Sequence, residues 1–137
     1  MLVIGFPLAR VRATFRAAAV AFVPELDAAS AGTWDRLEAT VAAALADRPP
    51  RLLRQIAAFL AVLDLGARIR FGRRLGRLDL ARRVAFLRRL ERAPLLVVRR
   101  GLWGLRTLVF MGYYTQPDVV TDLGYRADPA GWEARRP

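Results

Sequence analysis

Leu95, Val98, Leu102, Leu105 and Val109 step along the chain by three, four, three and four. That spacing puts all five on one side of an α-helix and on no common face of a strand. The same rhythm recurs earlier, at Leu37, Val41 and Leu45, at Leu52, Ile56, Phe59 and Leu63, and at Leu80, Val84, Leu87 and Leu90. Alternation of the strand type is nearly absent. Prolines at 24, 49, 50, 94 and 117 cut the chain between these stripes, where a helix must stop or can start. The pattern predicts an all-α, single-domain helical bundle of about five main helices plus a short C-terminal helix.

The helices are expected over 8–23, from a Thr33 cap through 47, from Pro50 toward Gly66, from an Asp79 cap through about 92, and from Pro94 to 114. Phe15, Val20 and Phe22 are the apolar contacts of the first. Gly66 is expected to bend or end the third, with the basic, glycine-punctuated segment 67–79 as a connecting loop. Arg82, Arg83, Arg88, Arg89 and Arg92 are expected to face away from the leucine side of the fourth. The short last helix starts at Pro117, runs to about Asp122, and is closed by Gly124. The expected organisation is an extension at 1–7, a helical domain at 8–126 and a polar tail at 127–137, which Trp132 can anchor.

The fifth helix carries most of the information. Besides its leucine stripe, Gly101, Gly104 and Leu108 form a line where missing side chains let another backbone approach. Arg99, Trp103, Arg106, Phe110 and Tyr113 form a third, alternating cation with aromatic. With small or apolar residues on most sides, it is expected to be the central helix. The third stripe is either half core with snorkelling arginines or a contact face, because Arg, Trp and Tyr are enriched where interfaces concentrate their energy. The helix runs into Tyr113, Tyr114, Thr115, Gln116 and Pro117, with Tyr125 just beyond. This reads as a rigid aromatic corner. One tyrosine ring can close the core while the other faces outward.

Composition narrows the chemistry. The 137 residues contain no cysteine and no histidine, and all 23 basic residues are arginine. There is therefore no thiolate, no imidazole base and no Schiff-base lysine in this chain. GRRLG at 72–76 has no strand before it and is not a phosphate-binding fingerprint. Asp118 and Asp122 stand four apart. They can be an acid/base pair, magnesium ligands or simply solvated carboxylates, and no catalytic or metal-ligating residue is assigned. The net charge of +11 resides in one segment: from Arg68 to Arg106 there are 13 arginines against Asp79 and Glu91, while the remaining arginines and acids cancel. Such a segment suits phosphate, an anionic membrane or an acidic partner. The leucine-faced fourth helix, arginine-rich opposite, has the character of an interfacial helix. No signal peptide or transmembrane helix is expected. The longest apolar stretch, 94–114, is interrupted by Arg99, Arg100 and Arg106.

Three segments together resemble the small accessory subunits of glucose-methanol-choline (GMC) flavoprotein oxidoreductases, of the gluconate 2-dehydrogenase subunit 3 type. They are LARVRATFRAAAVAFVPE (8–25), RLDLARRVAFLRRLERAPLLVVRRGLWGLRTLVFMGYYTQPDV (77–119) and LGY (123–125). The resemblance implies a non-catalytic subunit that binds and stabilises a separate FAD-dependent GMC-type alcohol dehydrogenase or oxidase and shapes its substrate entrance. FAD would sit on that larger partner and no cofactor on this chain. The partner interface would comprise Arg99, Trp103, Arg106, Phe110, Tyr113, Tyr114, Thr115, Gln116, Pro117 and Tyr125. The lack of a twin-arginine signal and of cysteines implies a non-covalent, cytoplasmic hetero-oligomer, with peripheral membrane contact open. The competing reading is a stand-alone basic helical module that binds nucleic acid or an anionic membrane surface.

Overall fold

The computed structural model describes residues 8–117 and Val119. Among these residues the chain forms five α-helices and no strand: α1 Arg12–Phe22, α2 Ala31–Ala46, α3 Pro50–Phe71, α4 Leu80–Glu91 and α5 Leu96–Tyr114. Short 3-10 turns precede α1 (Ala9–Val11), follow it (Pro24–Ala28) and lead into α4 (Leu75–Arg77). The all-α bundle expected from the periodicity is present. Of the expected short C-terminal helix only Pro117 and Val119 are described, both in helical conformation; the rest of it, the extension at 1–7, the tail at 127–137, Gly124 and Trp132 lie outside the described residues.

Helix α1 is deeply set in the bundle. Its Phe15, Ala18 and Ala19 are fully buried, and it packs against α3, α4, α5 and the turn at 75–77. Helix α5 packs against α1, α2, α3 and α4, as expected of a central helix, yet it buries one face and exposes the other. The physical reason is side-chain size. A run of alanines lets several helices close around one axis, whereas the arginines and Trp103 of α5 need solvent on at least one side. The expected stripes are otherwise found in the core or against it, except Val84, which is half-buried at the wall of the cleft between α1, α4 and α5. Leu37, Val41, Leu45, Leu63, Leu87, Leu102, Leu105 and Val109 are buried, and Leu52, Ile56, Phe59, Leu80, Leu90 and Val98 are partly buried against them. Leu95, the first member of the α5 stripe, is instead 66% exposed, because the helix starts only after it.

Helix ends follow their local chemistry. The Asp79 carboxylate accepts the Arg82 N–H at 2.8 Å and caps α4 as expected. The cap of α2 is Ser30 rather than Thr33: Ser30 Oγ accepts the Thr33 N–H at 3.2 Å, so the threonine is inside the first turn. Helix α3 runs through Gly66 to Phe71 and ends at Gly72, whose φ of 71° is open to glycine at little cost. Gly66 does not stop it. Its role is spatial, since a methyl there would lie 3.2 Å from the Phe86 ring. The glycines of α5 also divide differently from expectation. Gly104 meets nothing within 4 Å, while the close backbone approach is at Gly112, where an added methyl would lie 3.0 Å from the Leu37 carbonyl oxygen.

Candidate interaction site

One side of α5 faces away from the bundle. Leu96, Arg99, Trp103, Arg106, Phe110 and Tyr114 recur every three or four residues, the spacing that stacks side chains on one helical face. Trp103 is 70% exposed, which is unusual for the largest side chain in a chain with a well-formed core. The groups around it order one another. The Arg106 guanidinium lies 5.5 Å from the Phe110 ring centroid, and its Nη1 is 3.5 Å from Glu91 on α4. Phe110 and Tyr114 meet edge to face at 5.5 Å, and Tyr114 meets Tyr113 edge to face at 5.0 Å. The result is a strip of aromatic surface held in place by ring–ring and cation–ring contacts. Beside it, α1, α4 and α5 leave a cleft of about 180 Å³, lined by Phe22, Leu87, Arg88, Glu91, Arg106 and Phe110. That is smaller than a site that encloses a drug-sized ligand. It can seat a single apolar side chain with a polar end.

The structure sorts the residues expected at the interface. Arg99, Trp103, Arg106 and Tyr114 are exposed, Phe110 is half-buried at the edge of the strip, and Pro117 is exposed. Tyr113 turns its ring toward the core and Tyr114 turns outward, so the pair divides its work. Thr115 is exposed, but its hydroxyl donates to the Met111 carbonyl at 2.5 Å, within its own helix end. Gln116 is the correction. It is 4% exposed, its amide donates to the Thr33 and Gly112 carbonyls at 3.1 and 2.9 Å, and its oxygen accepts from Arg36 Nε at 3.1 Å. A side chain so buried and so fully bonded ties α5 to α2 and has nothing left for a partner. Tyr125, Asp118 and Asp122 lie outside the described residues.

Two polar centres went unread in the sequence. Arg83, expected to face outward, is turned inward. It donates to the carbonyls of Leu75, Ala17 and Leu78 at 3.2, 3.2 and 2.9 Å, stapling the 75–78 turn and α1 to α4. Burial pushes its guanidinium pKa down, against the opposing pull of Asp27 and Asp79, yet it stays a cation at neutral pH. Glu38, 7% exposed in α2, holds Arg12 at 3.1 Å and Arg16 Nε at 2.8 Å, and Arg16 lies 4.9 Å from the Trp34 ring centroid. Nothing near Arg83 or Glu38 in sequence announces either role, because their partners are brought in by tertiary packing.

Among the described residues no group of three or more His, Cys, Asp or Glu side chains could hold a metal ion, and no helix is long and apolar enough to cross a membrane. Comparison with protein-family models, with curated proteins and with solved structures returns no match.

Proposed function

We propose that the chain is a non-catalytic small subunit that docks a larger protein through the outer face of α5. The observation that carries the reading is Trp103. A tryptophan 70% exposed between two arginines, on a helix whose opposite face is core, is the composition in which interface energy concentrates. The resemblance of segments 8–25, 77–119 and 123–125 to GMC accessory subunits specifies the partner: a separate FAD-dependent alcohol dehydrogenase or oxidase, with the flavin and the catalytic base on that larger chain. In this reading the small subunit stabilises its partner and shapes the substrate entrance.

The test is capture of the tagged full-length chain from its own cells, followed by an absorbance spectrum of the eluate. A co-purifying larger chain with flavin bands, lost when Trp103 is changed to alanine, supports the reading. A colourless eluate without a stoichiometric larger chain refutes it.

A further inference from the structure

A second exposed surface lies on α3, and it has a different character. Val62, Leu65 and Ile69 are 60%, 55% and 78% exposed and share one side of the helix. They are aliphatic, and no ring joins them. Along one edge of this stripe runs a groove of about 530 Å³ between α3, the turn that enters α1 and the 75–77 turn. Leu65 belongs to both the stripe and the groove wall. Arg10, Arg68, Arg74 and Arg77 line the groove against a single acid, Asp64. That acid is already committed, accepting the Leu75 N–H at 3.0 Å and lying 3.5 Å from Arg68 Nε. Arg10, Arg74 and Arg77 have no ion-pair partner among the described residues.

We infer that this face of α3, with the arginine groove beside it, docks on an anionic lipid bilayer. Charge complementarity selects an anionic occupant. The aliphatic stripe selects among anionic occupants. A phosphate-bearing nucleic acid would satisfy the arginines but leave Val62, Leu65 and Ile69 in water. A bilayer supplies both layers in the right order, phosphates at the level of the guanidinium groups and hydrocarbon beneath for the aliphatic tips. Long arginine stems can lie along the apolar surface while their heads stay at headgroup depth. The expected interfacial element is thus α3 rather than the leucine-faced α4, whose Phe86 and Leu87 are buried inside the bundle. The inference rests on a surface separate from the α5 strip and does not depend on the identity of any protein partner.

The chain has no cysteine, so one introduced cysteine reports on one place. Full-length Ile69→Cys, labelled with an environment-sensitive dye, would be mixed with phosphatidylcholine vesicles with and without phosphatidylglycerol. Labels at Ala39→Cys on the exposed side of α2 and at Trp103→Cys on α5 serve as comparisons. The expected result is binding to the anionic vesicles only, falling as salt is raised, with a blue shift at position 69 and none at 39 or 103. Reversing two charges, R74E with R77E, should weaken vesicle binding about tenfold or more. Ile69→Ser should weaken it as well, with helical circular dichroism unchanged in both variants. Equal binding to neutral vesicles would overturn the inference. So would an unshifted label at 69 on bound protein, a shift at 103 instead, or a short DNA duplex that displaces the vesicles by binding the same arginines.

Discussion

The three glycines of α5 at positions 101, 104 and 112 make a quantitative test of the packing. Replacing a helical glycine by alanine gains ~1 kcal/mol of intrinsic helix preference. At Gly104 an added methyl meets nothing within 4 Å, so that gain should be realised almost in full. At Gly112 the methyl would lie 2.9 Å from Leu37 Cγ, 3.0 Å from the Leu37 carbonyl oxygen and 3.4 Å from its Cα. Carbon contacts are comfortable only beyond ~3.5 Å, and two of these neighbours are backbone, which no rotamer change can move aside. Helices α2 and α5 would have to separate. Overpacking of this kind costs ~1–3 kcal/mol, and the rigid backbone places Gly112 in the upper part of that range. Offset by the helix preference, the net loss is ~1–2 kcal/mol. At ~2.1 cal/mol/K of unfolding entropy per residue over roughly 110 ordered residues, each kcal/mol moves the midpoint by ~4 °C. Thermal unfolding followed by far-ultraviolet circular dichroism should therefore show Gly104→Ala ~4 °C above the parent and Gly112→Ala ~4–8 °C below it. Gly101→Ala should fall between them. The 2.6 Å approach there is to the ring of Phe59, a partly buried side chain that can swing. A Gly112→Ala protein as stable as the parent would refute the close α2–α5 contact.

Other substitutions test the polar pins and the outer face. Arg83→Met should lower stability by ~2–3 kcal/mol, because the carbonyls of Leu75, Ala17 and Leu78 lose a charged donor, and Arg83→Lys should recover only part of it for want of the planar fork; urea midpoints decide. Gln116→Ala should cost ~1–3 kcal/mol in the same assay, by leaving the Gly112 and Thr33 carbonyls unmatched where α5 meets α2. Glu38→Ala should cost ~1–2 kcal/mol and not more, since Arg12 and Arg16 are about two-fifths exposed and water can take over their charges. Trp103→Ala should change stability by less than ~0.5 kcal/mol. It should weaken capture of a larger partner by ~2 kcal/mol or more, roughly thirtyfold, read by titration of the purified partner.

How far the sequence could be read depended on the range of the interaction. Local signals carried well. The Leu37–Val41–Leu45 stripe, the Asp79 cap and the Pro49–Pro50 break each act within one or two helical turns, and each is where the periodicity put it. Two local rules competed at α2, where Ser30 and Thr33 are both good caps. Ser30 prevailed because it sits one turn earlier and captures the Thr33 N–H. At Gly66 the local cost of glycine in a helix was outweighed by a distant ring, Phe86, that needs the space. The arginines at 82, 83, 88 and 89 are indistinguishable in sequence. Only the 75–78 turn folding back over α4 singles out Arg83. The α5 strip was legible as one face of a helix, because Arg99, Trp103, Arg106 and Phe110 recur every three or four residues. Which of its end residues turn inward was not, since the inward pull on Gln116 comes from Thr33 and Arg36, far away in the chain.

The α2–α5 pairing also has a consequence in time. The pin at Gln116 is made 80 positions after Arg36, the α2 residue it engages, and the leucine face of α2 is covered chiefly from α5. At ~5–20 residues per second, a ribosome needs roughly 4 to 16 seconds to travel that distance. Throughout that interval Leu37, Val41 and Leu45 lack the α5 face that covers them in the folded chain. Nascent copies crowded on one messenger would meet each other through that leucine face first, so slowing initiation, rather than cooling or adding salt, is the lever expected to raise the soluble yield.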